Sequence, residues 1–366
     1  MASAIDADDR AALADSVRDL LRRRSGSAAV RRAIRTPGRI DRPLWDALRS
    51  EIGVAALAVD DEYGGAGATF AETALVLEAL GETLSPVPVF SSAVLAAGAV
   101  LASGDDDVAR RLLPGLADGD RIGALCWAGP DGWSTPGVDA DAGLLSGTAE
   151  YVLDGDCADV LLVLARGPGR TVTLHETAAD APGVVVTPLP VLDPTRALSR
   201  VSFDQVAATA IPAPPELPER IRTLAWAMLS AEQAGGAARA LTLAVEHTSS
   251  RIQFGRPLAS FQALKHLMAD MYVLVEAMRA VSAAAADALA TGRDDAAELA
   301  ATAHVYCSEG FRKVAGDAIQ LHGGIGMTAE HDIGLYFKRA QADAQLFGRP
   351  HEALALVPTD GVASGL

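Results

Sequence analysis

Residues 320–348, QLHGGIGMTAEHDIGLYFKRAQADAQLFG, decide how the chain is read. The stretch opens where a long alanine-rich helical pattern runs out, and Gly323, Gly324 and Gly326 follow the last helical turn. Glycines there accept positive φ and let the backbone and Gln320 come close to a ligand. They do not form a dinucleotide fingerprint, because GGIG follows a helix and no strand precedes it. The chain is expected to re-enter a helix at Asp332, which can cap it, and to end on Leu346-Phe347-Gly348.

Working outward, the next informative stretch is RIQFGRPLASFQALKHLMADM, residues 251–271. Here an arginine, a phenylalanine and a glycine share a tight turn, and Gln262 lies seven residues past Gly255. Ser260 is expected to cap the following helix, whose apolar stripe is Leu264, Met268, Met271 and Leu274. Long helical patterns cover about 219–250, 260–291, 295–321 and 332–345, with short connections that suggest an antiparallel bundle. Before them, Ile211–Pro218 is a proline-rich linker. From about 119 to 212 short β-rich runs (160–164, 171–174, 183–186) alternate with Gly, Pro and Asp, which points to a small β domain without βαβ units. Residues 1–118 read as helices. Asp41 and Pro43 start one that runs through Trp45, Leu48 and Ile52 to Gly53, and Thr69 with Glu72 forms a capping box for the segment from Phe70. A further helix pair covers roughly 91–113. The expected division is 1–118 helical, 119–212 β and 213–366 helical bundle, an α+β fold that is mainly α.

Composition narrows the class. A 366-residue chain can bury a large core, and much of its 50% hydrophobic content is alanine, which favours helix. No run reaches the ~18 apolar residues that a membrane span needs, and the N-terminus has no signal-peptide pattern, so a cytoplasmic protein is expected. A net charge of −16 argues against nucleic-acid or anionic-membrane partners, though a few placed arginines suffice for a phosphate-bearing small ligand. Cys126, Cys157 and Cys307 share no metal-ligand spacing and are read as reduced thiols; no metal site is expected. Three lysines against twenty-eight arginines suggest a GC-rich genome.

These motifs together resemble the acyl-CoA dehydrogenase family over nearly the whole chain. The most specific pieces are residues 251–271 and 320–331, supported by DEYGGAG (61–67) and DPTRALSRVSFDQV (193–206). The resemblance implies an N-terminal helical domain, a middle β domain and a C-terminal four-helix bundle, assembled as a tetramer with FAD between subunits. It implies that Arg251, Phe254, Gln262, Gln320, Gly323 and Gly324 grip the adenosine and pyrophosphate of a neighbour's FAD. The implied reaction is α,β-dehydrogenation of an acyl-CoA thioester: a carboxylate removes the α-proton, hydride leaves the β-carbon for the flavin, and electrons pass on to an acceptor.

The chain departs from that pattern where the base should be. The family's aromatic–Glu–Gly tail is Leu346-Phe347-Gly348 here, so Phe347 stands at the base position. The alternative position, on the first helix of the C-terminal domain, falls on Ala225. The flavin-ring loop and strand of the family correspond to residues 126–137 and 150–165, where their usual Thr, Glu, Ser and Trp–Thr residues are missing. The resemblance therefore extends to the base-lacking partner subunit of the heteromeric dehydrogenases of actinobacterial steroid side-chain breakdown. Two alternatives remain open: a self-sufficient homotetramer with a relocated base, for which Glu232 is the best candidate and Asp343 another, and a flavin-free scaffold or acyl-CoA-binding protein. The structural readings of the same residues are Glu232 as the partner of an arginine such as Arg239, Asp343 as a solvated surface group, and His266 and His322 as structural histidines.

Overall fold

A computed structural model describes residues 6–357. It divides into two compact units, one of residues up to 76 with 85–225, the other of 77–84 with 226 onward.

In the first unit, α1 (Ala7–Arg24) opens on Asp6, whose carboxylate accepts the Asp9 amide at 2.9 Å. Then come α2 (Ser27–Ala33) and α3 (Arg42–Ala47), capped by Asp41 as expected and extended by a π-helical turn to a left-handed Gly53. Helix α4 (Phe70–Thr83) begins where Glu72 accepts the Thr69 amide at 2.8 Å, one half of the expected capping box. The Thr69 hydroxyl accepts from Ala71, one residue short of the usual target. Helices α5 (Ala97–Ser103) and α6 (Asp106–Asp118) follow.

The strands are β1 (Gly123–Cys126), β2 (Val138–Asp141), β3 (Leu144–Leu153), β4 (Val160–Arg166), β5 (Val172–Ala178), β6 (Val184–Pro188), β7 (Leu198–Ala207) and β8 (Thr209–Ile211). They form one sheet in the order β6-β7-β3-β2-β4-β5-β8, with β1 parallel to β4. Its core is the inward set Cys126, Val138, Leu145, Val152, Leu161, Val163, Val201, Phe203 and Val206. The two longest strands, β3 and β7, carry irregularities at Tyr151 and Gln205, both with positive φ, which interrupt the period-two pattern.

In the second unit, the rest of α7 (Leu217–Ser250) packs with α8 (Gln262–Ala290), α9 (Ala296–His322) and α10 (Ile333–Asp343), and α11 (Pro350–Leu354) follows. Between α7 and α8 lies a hairpin of β9 (Ile252–Gln253) and β10 (Arg256–Pro257). The core is small-residue rich: Ala234, Ala237, Ala240, Ala244, Ala315 and Ala318 surround Met271, Met278, Phe311 and Tyr336. Ser260 is not the cap expected for α8. Its hydroxyl donates to the Pro257 carbonyl at 2.7 Å, closing a 3-10 turn, and Phe261 occupies the cap position. Cys126 and Cys307 are buried thiols and Cys157 is half-buried. Among the described residues no helix is long and apolar enough to cross a membrane.

The tightest helix contact in this unit is the crossing of α4 with α7. A Cβ on Gly235 would lie 1.9 Å from the Glu78 carbonyl oxygen, and one on Gly81 would lie 2.0 Å from that of Glu232. Backbone meets backbone there, so no side chain can yield. Gly235→Ala is expected to lower unfolding free energy by about 3 kcal/mol, as overpacking does, measured as a drop in the urea midpoint. An unchanged midpoint would mean that the two helices separate freely.

Candidate cofactor and active site

The β9–β10 turn places Phe254 (φ 53°) and Gly255 (φ 76°) at its tip, both with positive φ, as a two-residue hairpin requires. A bulky residue pays for that conformation by roughly 1–2 kcal/mol. The turn nonetheless holds the Phe254 ring 88% exposed, with only the edge of Phe261 beside it at 6.1 Å. The Arg256 guanidinium lies 4.0 Å over the Phe261 ring. Arg251 and Gln262 flank this hairpin on the surface.

At the end of α9, Gln320 faces solvent while Leu321 and His322 turn inward. Gly323 has φ 62°, and neither it nor Gly324 has any atom within 4 Å of where a Cβ would stand. The Gly323 amide is spent on the last carbonyls of the helix, Ile319 and Gln320, so open space and not that N–H is what Gly323 offers. All six residues expected to contact the cofactor are thus on the surface of this unit.

Behind the glycines the fold gathers three imidazoles. His322 donates Nδ1–H to the Ala318 carbonyl at 2.7 Å, and its ring lies 4.6 Å from that of His247 and 4.4 Å from that of His331. Nδ1 of His331 accepts the Ile333 amide at 3.1 Å. Burial first, and the neighbouring imidazoles second, hold His247 and His322 below the usual histidine range. His322 is the structural residue expected of it. His266 stays exposed and outside the cluster. Among the described residues no group of three His, Cys, Asp or Glu side chains is arranged to hold a metal ion.

Neither base position carries an acid. Ala225 is fully buried. Phe347 (φ 60°) turns its ring into the core at 1% exposure. Its carbonyl accepts Trp226 Nε1–H at 3.1 Å, and the next carbonyl, of Gly348, accepts His304 Nε2–H at 2.9 Å. The Trp226 and His304 rings stack 5.3 Å apart, nearly parallel. Burial pulls the His304 imidazole down to about 4, against the hydrogen bond to Gly348.

Glu232 is buried in an ion pair with Arg339, and Arg339 Nε lies 4.0 Å from the Asp343 carboxylate. Two expectations are corrected here. The arginine beside Glu232 is Arg339, while Arg239 pairs with Glu246 at 3.2 Å on the surface. Asp343 is not solvated. It is fully buried, because Tyr336, Arg339, Ala340 and Asp343 lie on the inward face of α10 at helical spacing. A Glu232 that took a proton from a substrate would have to give up its guanidinium, and breaking a buried pair costs about 3–5 kcal/mol.

In the first unit, aromatic residues of the stretches 126–137 and 150–165, where a flavin-ring loop and strand are expected, stack on one another. Trp127 meets Trp133 edge-on at 5.5 Å, Trp133 lies over Tyr151 at 6.2 Å, and the Arg222 guanidinium sits 5.8 Å over Trp127. Sequence reasoning missed this cluster. Its signal was two of only four tryptophans within seven residues.

Three of these histidines have a consequence for stability. Each folded imidazole resists a proton that the unfolded chain accepts near pH 6.5, so its contribution is complete above that value and declines below it. The urea midpoint is expected to fall as pH drops from about 6.5 toward 4, the window set by His304. His304→Phe should be less stable than wild type at pH 7 and lose less on acidification. Equal pH slopes for the two proteins would show that His304 is not held neutral.

The profile of the acyl-CoA dehydrogenase N-terminal domain matches residues 7–120, and that of the acyl-CoA dehydrogenase C-terminal domain matches 223–350. The acyl-CoA dehydrogenase IpdE2 of Mycobacterium tuberculosis is 39% identical over 95% of each chain. Among solved structures, the ChsE4-ChsE5 complex from Mycobacterium tuberculosis superposes with a TM-score of 0.89 at 28% identity, over 99% of each chain. The Tcur3481-Tcur3483 steroid acyl-CoA dehydrogenase superposes at 0.88 with 30% identity, over 98% of each chain. Fold, motifs and relatives agree: the chain belongs to the acyl-CoA dehydrogenase family, FAD-dependent oxidoreductases acting on CH–CH bonds.

Proposed function

We propose that this chain is the base-lacking subunit of a heteromeric, α2β2 acyl-CoA dehydrogenase and completes the FAD site of a homologous partner. The observation that carries the reading is Phe347: the base position holds a buried apolar ring whose backbone is fixed by two hydrogen bonds. Glu232, the best substitute, is already engaged by Arg339. The stack of Trp127, Trp133 and Tyr151 lies in the stretches expected to carry the flavin-ring loop and strand, which supports placing the reacting ring on the partner.

The residues present do fit the other end of the cofactor. Arg251 offers a guanidinium for pyrophosphate, Phe254 an exposed face for adenine, Gln262 and Gln320 amide hydrogen bonds, and Gly323 with Gly324 room for close approach. When bound, FAD accepts the hydride from the β-carbon of the thioester. This chain's part is to hold and orient, while the α-proton goes to a carboxylate of the partner. An 88% exposed phenylalanine on a strained turn is what a surface meant to be covered by ligand and partner would carry. One neighbour titled a steroid acyl-CoA dehydrogenase, and another solved as a complex of two differently named chains, favour a bulky acyl-CoA substrate and a hetero-tetramer.

The test is flavin content and dye-coupled turnover of the chain alone and co-expressed with a homologous subunit. Expected is little FAD and no turnover alone, and both in the complex. In the complex, Arg251→Ala with Gln320→Ala should lower bound FAD about tenfold without loss of the folded tetramer, since both side chains are exposed. Glu232→Gln should leave kcat of the complex within about twofold. Full FAD and turnover from the chain alone, abolished by Glu232→Gln in folded protein, would instead establish the homotetramer with a relocated base.

A further inference from the structure

The three imidazoles behind the exposed glycines play no part in the reaction proposed above, yet they tie one segment to the bundle. After Gly326 the chain stands out in solvent: residues 327–330 are exposed, Met327 at 79%. The first side chains to turn back are His331 and Asp332, both half-buried, before Ile333 enters the core. The grip on the segment is therefore narrow. Gly326 lies against α9, where a Cβ would stand 2.9 Å from that of His322, and the His331 ring packs on the His322 ring at 4.4 Å. The His322 ring also stacks on His247 of α7, 25° from parallel.

These contacts need neutral rings. The first amide of α10, on Ile333, has no partner within the helix. Asp332 makes no capping bond with its side chain, and the acceptor for that amide is Nδ1 of His331. An imidazolium has two donors and no acceptor, so a proton on His331 removes the cap and sets a cation at the positive end of the helix. His322 has already given Nδ1–H to the Ala318 carbonyl. Its Nε2 is buried with no hydrogen-bond partner among the described residues, so a second proton there would be a charged donor with nothing to receive it. Two protonated rings in such contact also repel.

The surrounding charges do not offset this. His247 and His322 lie in the last turns of α7 and α9, where helix dipoles favour a cation. Burial outweighs the dipoles and holds both imidazoles low, with His331 opposing a proton on each and Arg251 opposing one on His247. On α7, Glu246 is paired with Arg239, and on α9, Asp317 is paired with Lys313. Helix α8 turns Leu264, Leu267 and Met268 to this core and leaves Lys265, His266 and Asp270 exposed. Arg339 of α10 is held by Glu232. Glu330 and Asp332 flank His331 in the chain, and neither is among the charges that act on His247 or His322.

We propose that His247, His322 and His331 form an acid-operated latch, which holds the segment from Gly323 to Asp332 against α7 and α9 at neutral pH and releases it in acid. An imidazole held low in the closed segment takes up its proton once the segment is free. The closed form is thus complete above about pH 6.5 and declines below it. Gly323 and Gly324 belong to the same segment. On the cofactor reading given above, release would carry them away from the pyrophosphate, but the latch itself does not depend on that reading.

Hydrogen–deuterium exchange of the full chain without FAD tests it. Amides of residues 328–335 are followed at pH 7 and pH 5, each corrected for the intrinsic exchange rate at that pH. Their protection is expected to drop about tenfold in acid. His331→Asn keeps a side-chain oxygen able to cap Ile333 and takes no proton. Its protection should stay within about twofold of wild type at pH 7 and hold at pH 5. The proposal is overturned if acid leaves wild-type protection unchanged or raises it, or if His331→Asn loses as much as wild type. Should His331→Asn already be open at pH 7, His247→Gln decides, because it leaves the cap in place: an acid loss equal to that of wild type overturns the proposal, and a smaller one supports it. Flavin takes no part in the measurement, so failure of the latch leaves the cofactor reading to its own test.

Discussion

Everything that matters in the second unit hangs on the crossing of α4 and α7. At Gly81 and Gly235 the two backbones touch, so α7 is fixed along its axis and about it. Once that register is set, each working residue of α7 has one address. Trp226 reaches the Phe347 carbonyl, Glu232 reaches Arg339, Gln233 reaches Ser308, Gly236 receives the Phe311 ring, and His247 reaches His322. A slip of one residue would turn the helix by about 100° and break all five. The small residues of the core, mostly alanine, allow this proximity between helices, and the same alanines hide it from a reader of composition.

The long elements were legible because their periodicity is strong. The expected 219–250 became Leu217–Ser250 and the expected 295–321 became Ala296–His322. Strands β3 and β7 escaped because Tyr151 and Gln205 sit at irregularities that break alternation. At the site, exposure of Arg251, Phe254 and Gln320 followed from turn and cap chemistry, which is local. What failed was non-local. His247 lies 75 residues before His322 along the chain, and only packing brings their rings together. Asp343 was misplaced because a carboxylate at the end of a helix is usually solvated, and the stripe through Tyr336 and Ala340 outweighed that tendency. Ser260 was misassigned because a serine before a helix can close its own turn instead of capping.

The surface expected to hold a neighbour's adenosine and the stretches expected at a flavin ring differ in kind on this chain. One is polar, glycine-bearing and exposed, with an aromatic ring kept out of the core by a turn that a phenylalanine dislikes. The other is an aromatic stack whose faces satisfy each other, with a guanidinium over one of them. Edge-to-face and offset pairs of this kind are worth about 0.5–1.5 kcal/mol each beyond burial. Opening the stack for a heterocycle would forfeit that stabilisation, whereas covering the exposed end forfeits nothing. The energetic asymmetry favours sharing a cofactor over holding one alone.

Restoring a carboxylate at residue 347 would not by itself make this chain self-sufficient. The side chain there points into packed core, so an acid in its place would be buried and uncompensated, a position in which carboxylates take a proton rather than remove one. To turn it outward the backbone would have to leave φ 60°, releasing the Phe347 carbonyl from Trp226 and that of Gly348 from His304. Each released donor would be left buried without a partner, at about 1–3 kcal/mol apiece. The apolar residue at 347 is therefore tied to the surrounding hydrogen bonds and stacking. On the division of labour proposed above, a fold that commits buried donors to holding that turn leaves the acid chemistry to a partner.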